Sequence, residues 1–193
     1  MLSNRKIKER NARKAQILSG ALKVFKIHGI EKTTMDEVAH ESGFGKATLY
    51  YYYASKDEVF IDIMENGWKN LWEGIESRIV EEKNPKKKFI GIIKKIAKIV
   101  RSDKNLYEFL FTAPNHIQDN SKKTWKTYQE RLYAILKSII DEGIKKKEFA
   151  SMDPGLLMKA IGGLFHGLFI NNNDDDVKDS DLELMINNLL NAK

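Results

Sequence analysis

The 193-residue chain contains no cysteine, which excludes disulfides and thiolate metal sites and fits a reducing compartment. Proline is nearly absent too. Its three prolines, Pro85, Pro114 and Pro154, fall where helical periodicity starts or stops. No apolar run is long enough to span a bilayer, and the basic residues 2–14 are not followed by an apolar segment of signal-peptide length. The expectation is a soluble cytoplasmic protein with no membrane partner. Catalytic and metal-binding patterns are missing as well: His28, His40, His116 and His166 share no ligand spacing, and no Gly-rich phosphate loop occurs. Asp174-Asp175-Asp176 lacks the glycine and the terminal glutamate of a calcium loop. The chain therefore reads as a non-enzyme, without metal or cofactor.

What it has is positive charge, unevenly spread. The net charge is +6, yet residues 1–32 carry nine Lys and Arg against Glu9 and Glu31, a local charge of +7. Arg5, Lys6, Lys8, Arg10, Arg13 and Lys14 form a basic arm leading into a first helix expected from about Asn11 to His28. Such an arm adds salt-dependent phosphate contacts rather than sequence choice. Leu18, Ala21, Leu22 and Phe25 give that helix an apolar stripe, widened by Ile17 and Val24. Gly29 stops it.

Residues 33–56 then read as two short helices and a tight turn. Thr34 and Glu37 have capping-box spacing, Met35, Val38 and Ala39 form an inward face, and Gly43 can take the positive φ of a sharp reversal. The second helix starts at Gly45-Lys46-Ala47-Thr48 and ends in four consecutive tyrosines. At 100° per residue these cannot all point inward. Leu49 and Tyr53, four apart, are expected inside with Phe44. Lys46, Thr48, Tyr50, Tyr51 and Tyr52 are left for a partner, and all can donate to phosphate oxygens or base edges.

The order and spacing of Thr33-Thr-Met-Asp-Glu-Val-Ala, Ser42-Gly-Phe, Lys46-Ala-Thr-Leu-Tyr-Tyr-Tyr-Tyr and Ser55-Lys-Asp-Glu-Val-Phe resemble the DNA-binding domain of the TetR family of bacterial transcriptional regulators. Three departures stand out. Gly45 replaces the usual cap serine, Ala47 a frequent glycine, and Tyr53 the commoner phenylalanine, so the Tyr53 hydroxyl must find a partner. The resemblance implies an all-α protein of about nine helices, with a helix-turn-helix head over residues 1–56 and an effector-binding, dimerising body over 57–193. It implies DNA-binding roles for Thr34, Met35, Gly45, Lys46, Ala47, Thr48, Tyr50, Tyr51 and Tyr52, and a DNA-backbone position for Lys56.

In the body, a second capping box at Ser55 and Glu58 opens a helix through Phe60, Ile63, Met64, Leu71 and Ile75. Phe89, Ile92, Ile93, Ile96 and Val100 line the next helix, and its opposite face, with Lys87, Lys94, Lys98 and Arg101, reads as solvated. A short helix near 105–112 precedes Pro114. A long one follows, with Trp125, Tyr128, Leu132, Ile135 and Ile139 in phase. Asp153-Pro154 starts a helix containing Gly162, Gly163 and Gly167, which suggest close approach by another backbone. A third capping box, Ser180 and Glu183, is expected to open the last helix. These last two apolar helices, about 155–170 and 181–191, either close the protomer's own core or build a homodimeric four-helix bundle, and the resemblance implies the latter.

One aromatic group remains. Phe109, Trp125, Tyr128, Phe165 and Phe169, with His116, Gln129 and His166 as polar partners, could line an effector cavity or simply fill a core. The favoured function is a ligand-responsive regulator, a repressor by resemblance, that binds a palindromic double-stranded operator and is released by a small apolar or amphipathic effector. The alternative is a small-molecule carrier or a membrane-surface helical protein. A carrier has no use for the exposed Lys46–Tyr52 face.

Overall fold

The computed structural model describes residues 4–112, 124–170 and 177–191, and among these the chain is all-helical. Its elements are α1 (Asn4–His28), α2 (Met35–Glu41), α3 (Lys46–Tyr52), α4 (Lys56–Glu81), α5 (Pro85–Ser102), α6 (Lys104–Thr112), α7 (Thr124–Lys145), α8 (Pro154–Phe169) and α9 (Asp179–Leu190). This is the all-α architecture that the sequence pattern implies. Two compact units divide it: Met1–Asn66 with Phe109–Trp125, and Gly67–Glu108 with Lys126–Lys193.

In the first unit, Ile17, Ala21, Val24 and Phe25 of α1 are buried with Val38 and Ala39 of α2, Leu49 of α3, and Val59, Phe60 and Ile63 of α4. Phe109 joins them, stacked on Phe25 at 6.1 Å and edge-on to Phe60 at 5.9 Å. The stripe of α1 is rotated from the expected one: Leu18 and Leu22 are only half-buried. The helix also begins at Asn4, not near Asn11. Its early residues are good helix formers, and Arg5 and Glu9 pair at 3.0 Å one turn apart, so the basic arm is itself helical.

Gly20 is where α1 and α2 meet most closely. A Cβ there would lie 2.8 Å from both the backbone nitrogen and the Cβ of Ser42. Gln16 holds the same point by donating to the Ser42 carbonyl at 2.8 Å. Gly20→Ala should therefore destabilise the unit by about 1–3 kcal/mol through overpacking, despite the better helix propensity of alanine. Thermal unfolding checks this, and a stabilised variant would show that the two backbones can part freely.

The second unit is built on α5. Asn84 caps it by accepting from the Lys87 amide at 2.8 Å, and Pro85 occupies the first turn. Phe89, Ile92, Ile93, Ile96 and Val100 are all buried, as their spacing predicts. α7 buries Leu132, Leu136, Ile139 and Ile140. Phe149 closes against Phe89 and against the bare backbone of Gly143, whose added Cβ would come within 2.4 Å of the Phe149 ring. Asp153 caps α8 by accepting from the Leu156 amide at 2.7 Å.

One local expectation is overturned here. No reciprocal Ser180–Glu183 box forms, because α9 starts at Asp179 behind Lys178 and the Glu183 carboxylate instead accepts from Lys94 of α5 at 2.7 Å. Gly162, Gly163 and Gly167 stay open within the protomer. Among the described residues, nothing lies within 4 Å of where their Cβ atoms would be.

Candidate nucleic-acid interface

The turn between α2 and α3 is fixed at both sides by local chemistry. Thr34 accepts from the Glu37 amide at 3.3 Å while the Glu37 carboxylate accepts from the Thr34 amide at 2.7 Å, completing the first capping box. The bonds from Thr34 hold the Glu37 carboxyl below its ordinary pKa. Gly43 reverses the chain at φ +71°, a conformation costly for any residue with a Cβ. Ser42 turns its hydroxyl back onto the Val38 carbonyl, so the buried end of α2 leaves no hydroxyl unbonded.

α3 is seven residues long and has no side-chain cap, as Gly45 dictates. Leu49 is fully buried and Tyr53 nearly so. Tyr53 is no longer helical; it caps α3 in extended conformation, its amide bonded to the Leu49 carbonyl. Its phenol donates to the Asp62 carboxylate at 2.6 Å, which supplies the partner that a tyrosine at this position requires. Lys14 pairs with the same carboxylate at 2.8 Å and lies 5.1 Å from the Tyr53 ring centroid. Burial alone would raise the Asp62 carboxyl, but the bonds from Lys14 and Tyr53 outweigh it and the net pKa is depressed. Burial first, and Asp62 second, push the Tyr53 phenol far above its ordinary value. Asp62, Lys14 and Tyr53 thus tie α1, α3 and α4 into one rigid support.

Above that support, the outer face carries Lys46, Ala47, Tyr50 and Tyr51, all exposed, with Thr48 and Tyr52 half-buried. The Tyr52 ring packs edge-on against that of Tyr51 at 5.2 Å. Met35 is half-buried beside the exposed Thr34. Lys56 does something its position in the sequence does not reveal. Its ammonium donates to the carbonyls of Glu31 at 2.7 Å and Thr33 at 3.0 Å, pinning the first turn of α4 to the loop before α2.

Residues 17–63, from the middle of α1 through α2 and α3 to the start of α4, match the family model described as bacterial regulatory proteins, tetR family. This head is of the TetR type. The chain is like TetR-type proteins beyond the head as well. It is 28% identical over 170 residues, covering 79% of the chain and 82% of the relative, to an uncharacterized HTH-type transcriptional regulator, YfiR, of Bacillus subtilis strain 168. It is 24% identical, over 81% of each chain, to the fatty acid metabolism regulator protein of the same organism. Among solved structures, AibR in complex with isovaleryl coenzyme A and operator DNA superposes with a TM-score of 0.75 at 18% identity, covering 92% of this chain and 97% of that one.

Within this TetR-type head, sequence reasoning missed Asp36. It sits in the first turn of α2 and pairs with Lys46 at 2.9 Å, both side chains being well exposed, and the bond raises the Lys46 pKa. An acid that engages the one cation of the α3 face competes with any phosphate for it. Asp36→Asn should raise DNA affinity about fivefold for operator and random sequences alike. Fluorescence anisotropy measures it; an affinity left unchanged or lowered would show that the pair persists on DNA or that Asp36 itself helps binding.

The eight residues of the expected aromatic site are distributed differently. Phe109 and Trp125 are buried in the first unit, while Tyr128, Gln129, Phe165 and His166 are half-buried in the second and Phe169 is buried there. Phe165 and Phe169 touch at 4.7 Å, and Arg101 lies 4.9 Å over the Phe169 ring. His116 lies outside the described residues.

Proposed function

We propose that this chain is a ligand-responsive repressor that binds a palindromic operator as a homodimer and is released by a small amphipathic effector. The observation that carries the reading is the α3 face, where Lys46, Thr48, Tyr50 and Tyr51 project from a helix whose inner side is locked by Leu49 and the Tyr53–Asp62–Lys14 hub. Arg5, Lys8, Arg10 and Arg13, exposed along the first turns of α1, add phosphate contacts in this reading. Tyr50 and Tyr51 reach base edges or phosphates, and Thr34, Met35, Gly45 and Ala47 approach the backbone. Lys56 acts from behind by holding the loop before α2. The head is taken as residues 1–56 and the body as 57–193.

Coenzyme A thioesters are the effector class to try first. The fatty acid metabolism regulator and the AibR complex with isovaleryl coenzyme A support that choice. Effector contacts would come from the second unit, with Tyr128, Gln129, Phe165, His166 and Phe169 as the candidate lining. Pairing of α8 and α9 between protomers would set two α3 helices about 34 Å apart, one turn of B-DNA.

A gel shift with the DNA upstream of the chain's own gene tests the reading. Binding should be at least about a thousandfold tighter than to random DNA. A thioester that releases the protein must itself bind DNA-bound protein more weakly by the same factor, about 5–150. Equal affinity for upstream and random DNA would sink the repressor reading. Equal effector affinity for free and bound protein would sink only its regulation.

A further inference from the structure

The lysine-rich face of α5 does not lie flat against solvent. It forms one wall of a groove of about 440 Å³ against α9, floored by Ile90 and opened by Gly91, where an added Cβ would meet nothing within 4 Å. Lys87, Lys94, Lys95 and Lys98 line the α5 side, and Asp179 and Glu183 the α9 side. Both acids are already engaged, Glu183 by Lys94 at 2.7 Å and Asp179 by Arg101 at 2.8 Å. Among the described residues, Lys87, Lys95 and Lys98 form no ion pair. Three uncompensated ammonium groups therefore face one concavity.

Their spacing narrows what fits. Lys87 and Lys98 are eleven residues apart, about 16 Å along the helix, while Lys94, Lys95 and Lys98 fall within about 6 Å of it. The near cluster matches two or three linked phosphates. The remaining length, over the Ile90 floor and the Gly91 gap, has room for an attached organic group. A monovalent anion would leave most of this charge unused, and the volume lies in the range of small-molecule sites.

We propose that the α5–α9 groove binds a small molecule through an oligophosphate group, with the phosphates at Lys94, Lys95 and Lys98 and the organic portion over Ile90 and Gly91. Two sources carry that chemistry: a nucleoside polyphosphate and the diphosphate of coenzyme A. Neither the groove nor its occupancy depends on DNA binding by α3. A coenzyme A occupant would make this groove the outer part of the effector site.

Isothermal titration of the full chain at moderate salt with tripolyphosphate, ATP and coenzyme A tests this. At least one should bind saturably, one per protomer. Lys95→Gln/Lys98→Gln should weaken that binding by roughly 30-fold, since charge-assisted contacts are removed. Gly91→Phe, which fills the gap, should weaken ATP or coenzyme A but leave tripolyphosphate nearly unchanged. Lys46→Gln, on the DNA-reading face, should alter none of them. Preference for ATP or for coenzyme A assigns the source, and equal binding of tripolyphosphate assigns the phosphate chain alone. The proposal is overturned if no probe saturates at millimolar concentration, or if the bound probe is lost with Lys46→Gln and kept in both groove variants. Circular dichroism melting confirms that each variant is folded.

Discussion

Tyr53→Ala should cost the DNA-binding head about 3–5 kcal/mol, as truncation of a large buried aromatic does, while Tyr51→Ala should leave stability within about 0.5 kcal/mol and weaken operator binding. The two residues are neighbours but one in α3 and its cap, and their exposures are 4% and 76%. The large cost at Tyr53 has two sources. Removing the ring empties a buried space, and removing the phenol takes a donor from Asp62, whose charge would then rest on Lys14 and on Asn66 at 2.7 Å. Tyr53→Phe separates them. It keeps the ring and loses the bond, so about 1–2 kcal/mol should be lost.

The pH dependence of the same hub follows from its signs. The Asp62 pKa is depressed in the folded chain, so its contribution is complete above the ordinary carboxylate pKa near 4 and fades as pH falls through the lower folded value. Tyr53→Ala should reduce that acid sensitivity. Melting temperatures of the three variants, read beside operator affinity, decide the matter. Equal melting temperatures for Tyr51→Ala and Tyr53→Ala would mean that α3 is turned the other way.

Local chemistry was the most legible part of this chain. The box at Thr34 and Glu37, the reversal at Gly43, the stop at Gly29 and the Asp153–Pro154 start all involve residues within four positions of each other, and each forms as its spacing predicts. The box at Ser55 and Glu58 shows the margin. Ser55 accepts from the Glu58 amide at 3.3 Å, but the Glu58 carboxylate reaches past Ser55 to the Ala54 amide at 2.8 Å. Misreadings arose where a distant partner outbid a near one. Glu183 leaves its own helix for Lys94, 89 positions away, and Lys14, counted with the basic arm, is claimed by Asp62, 48 positions on.

Periodicity had a different weakness. All five residues it named on α5 are buried, though it missed Ile90 and Ala97, while on α1 it centred the stripe on Leu18 and Leu22 when Ile17, Ala21 and Val24 are the buried residues. Gly20 explains the rotation. Only a side with no side chain lets α2 come so near, and a single glycine inside an apolar stripe carries no signal of its own. The α3 face was legible as a set of exposed donors, but its restraint by Asp36 was not, because that pair closes across the turn only once α2 and α3 are packed.

Gly163→Arg should convert the protein to a monomer and lower operator affinity by roughly a thousandfold or more, the gap between specific and non-specific binding. Gly162, Gly163 and Gly167, in the interior of α8, each cost the helix about 1 kcal/mol relative to alanine. Among the described residues nothing repays that cost, since Gly162, Gly163 and Gly167 are all exposed and open. Leu156 of α8, with Leu184, Met185 and Leu189 of α9, is exposed as well. A second copy packing its own α8 and α9 here would cover these apolar side chains and use the bare backbone for close approach. Gly163→Ala separates this from a free surface. On a free surface it should raise the melting temperature, because alanine favours the helix; in a close-packed dimer it should loosen the pair and make melting depend more steeply on protein concentration. Sedimentation equilibrium gives the mass and anisotropy the affinity. A Gly163→Arg monomer that still binds operator with full affinity would refute the dimer, and with it the two-half-site reading of the operator.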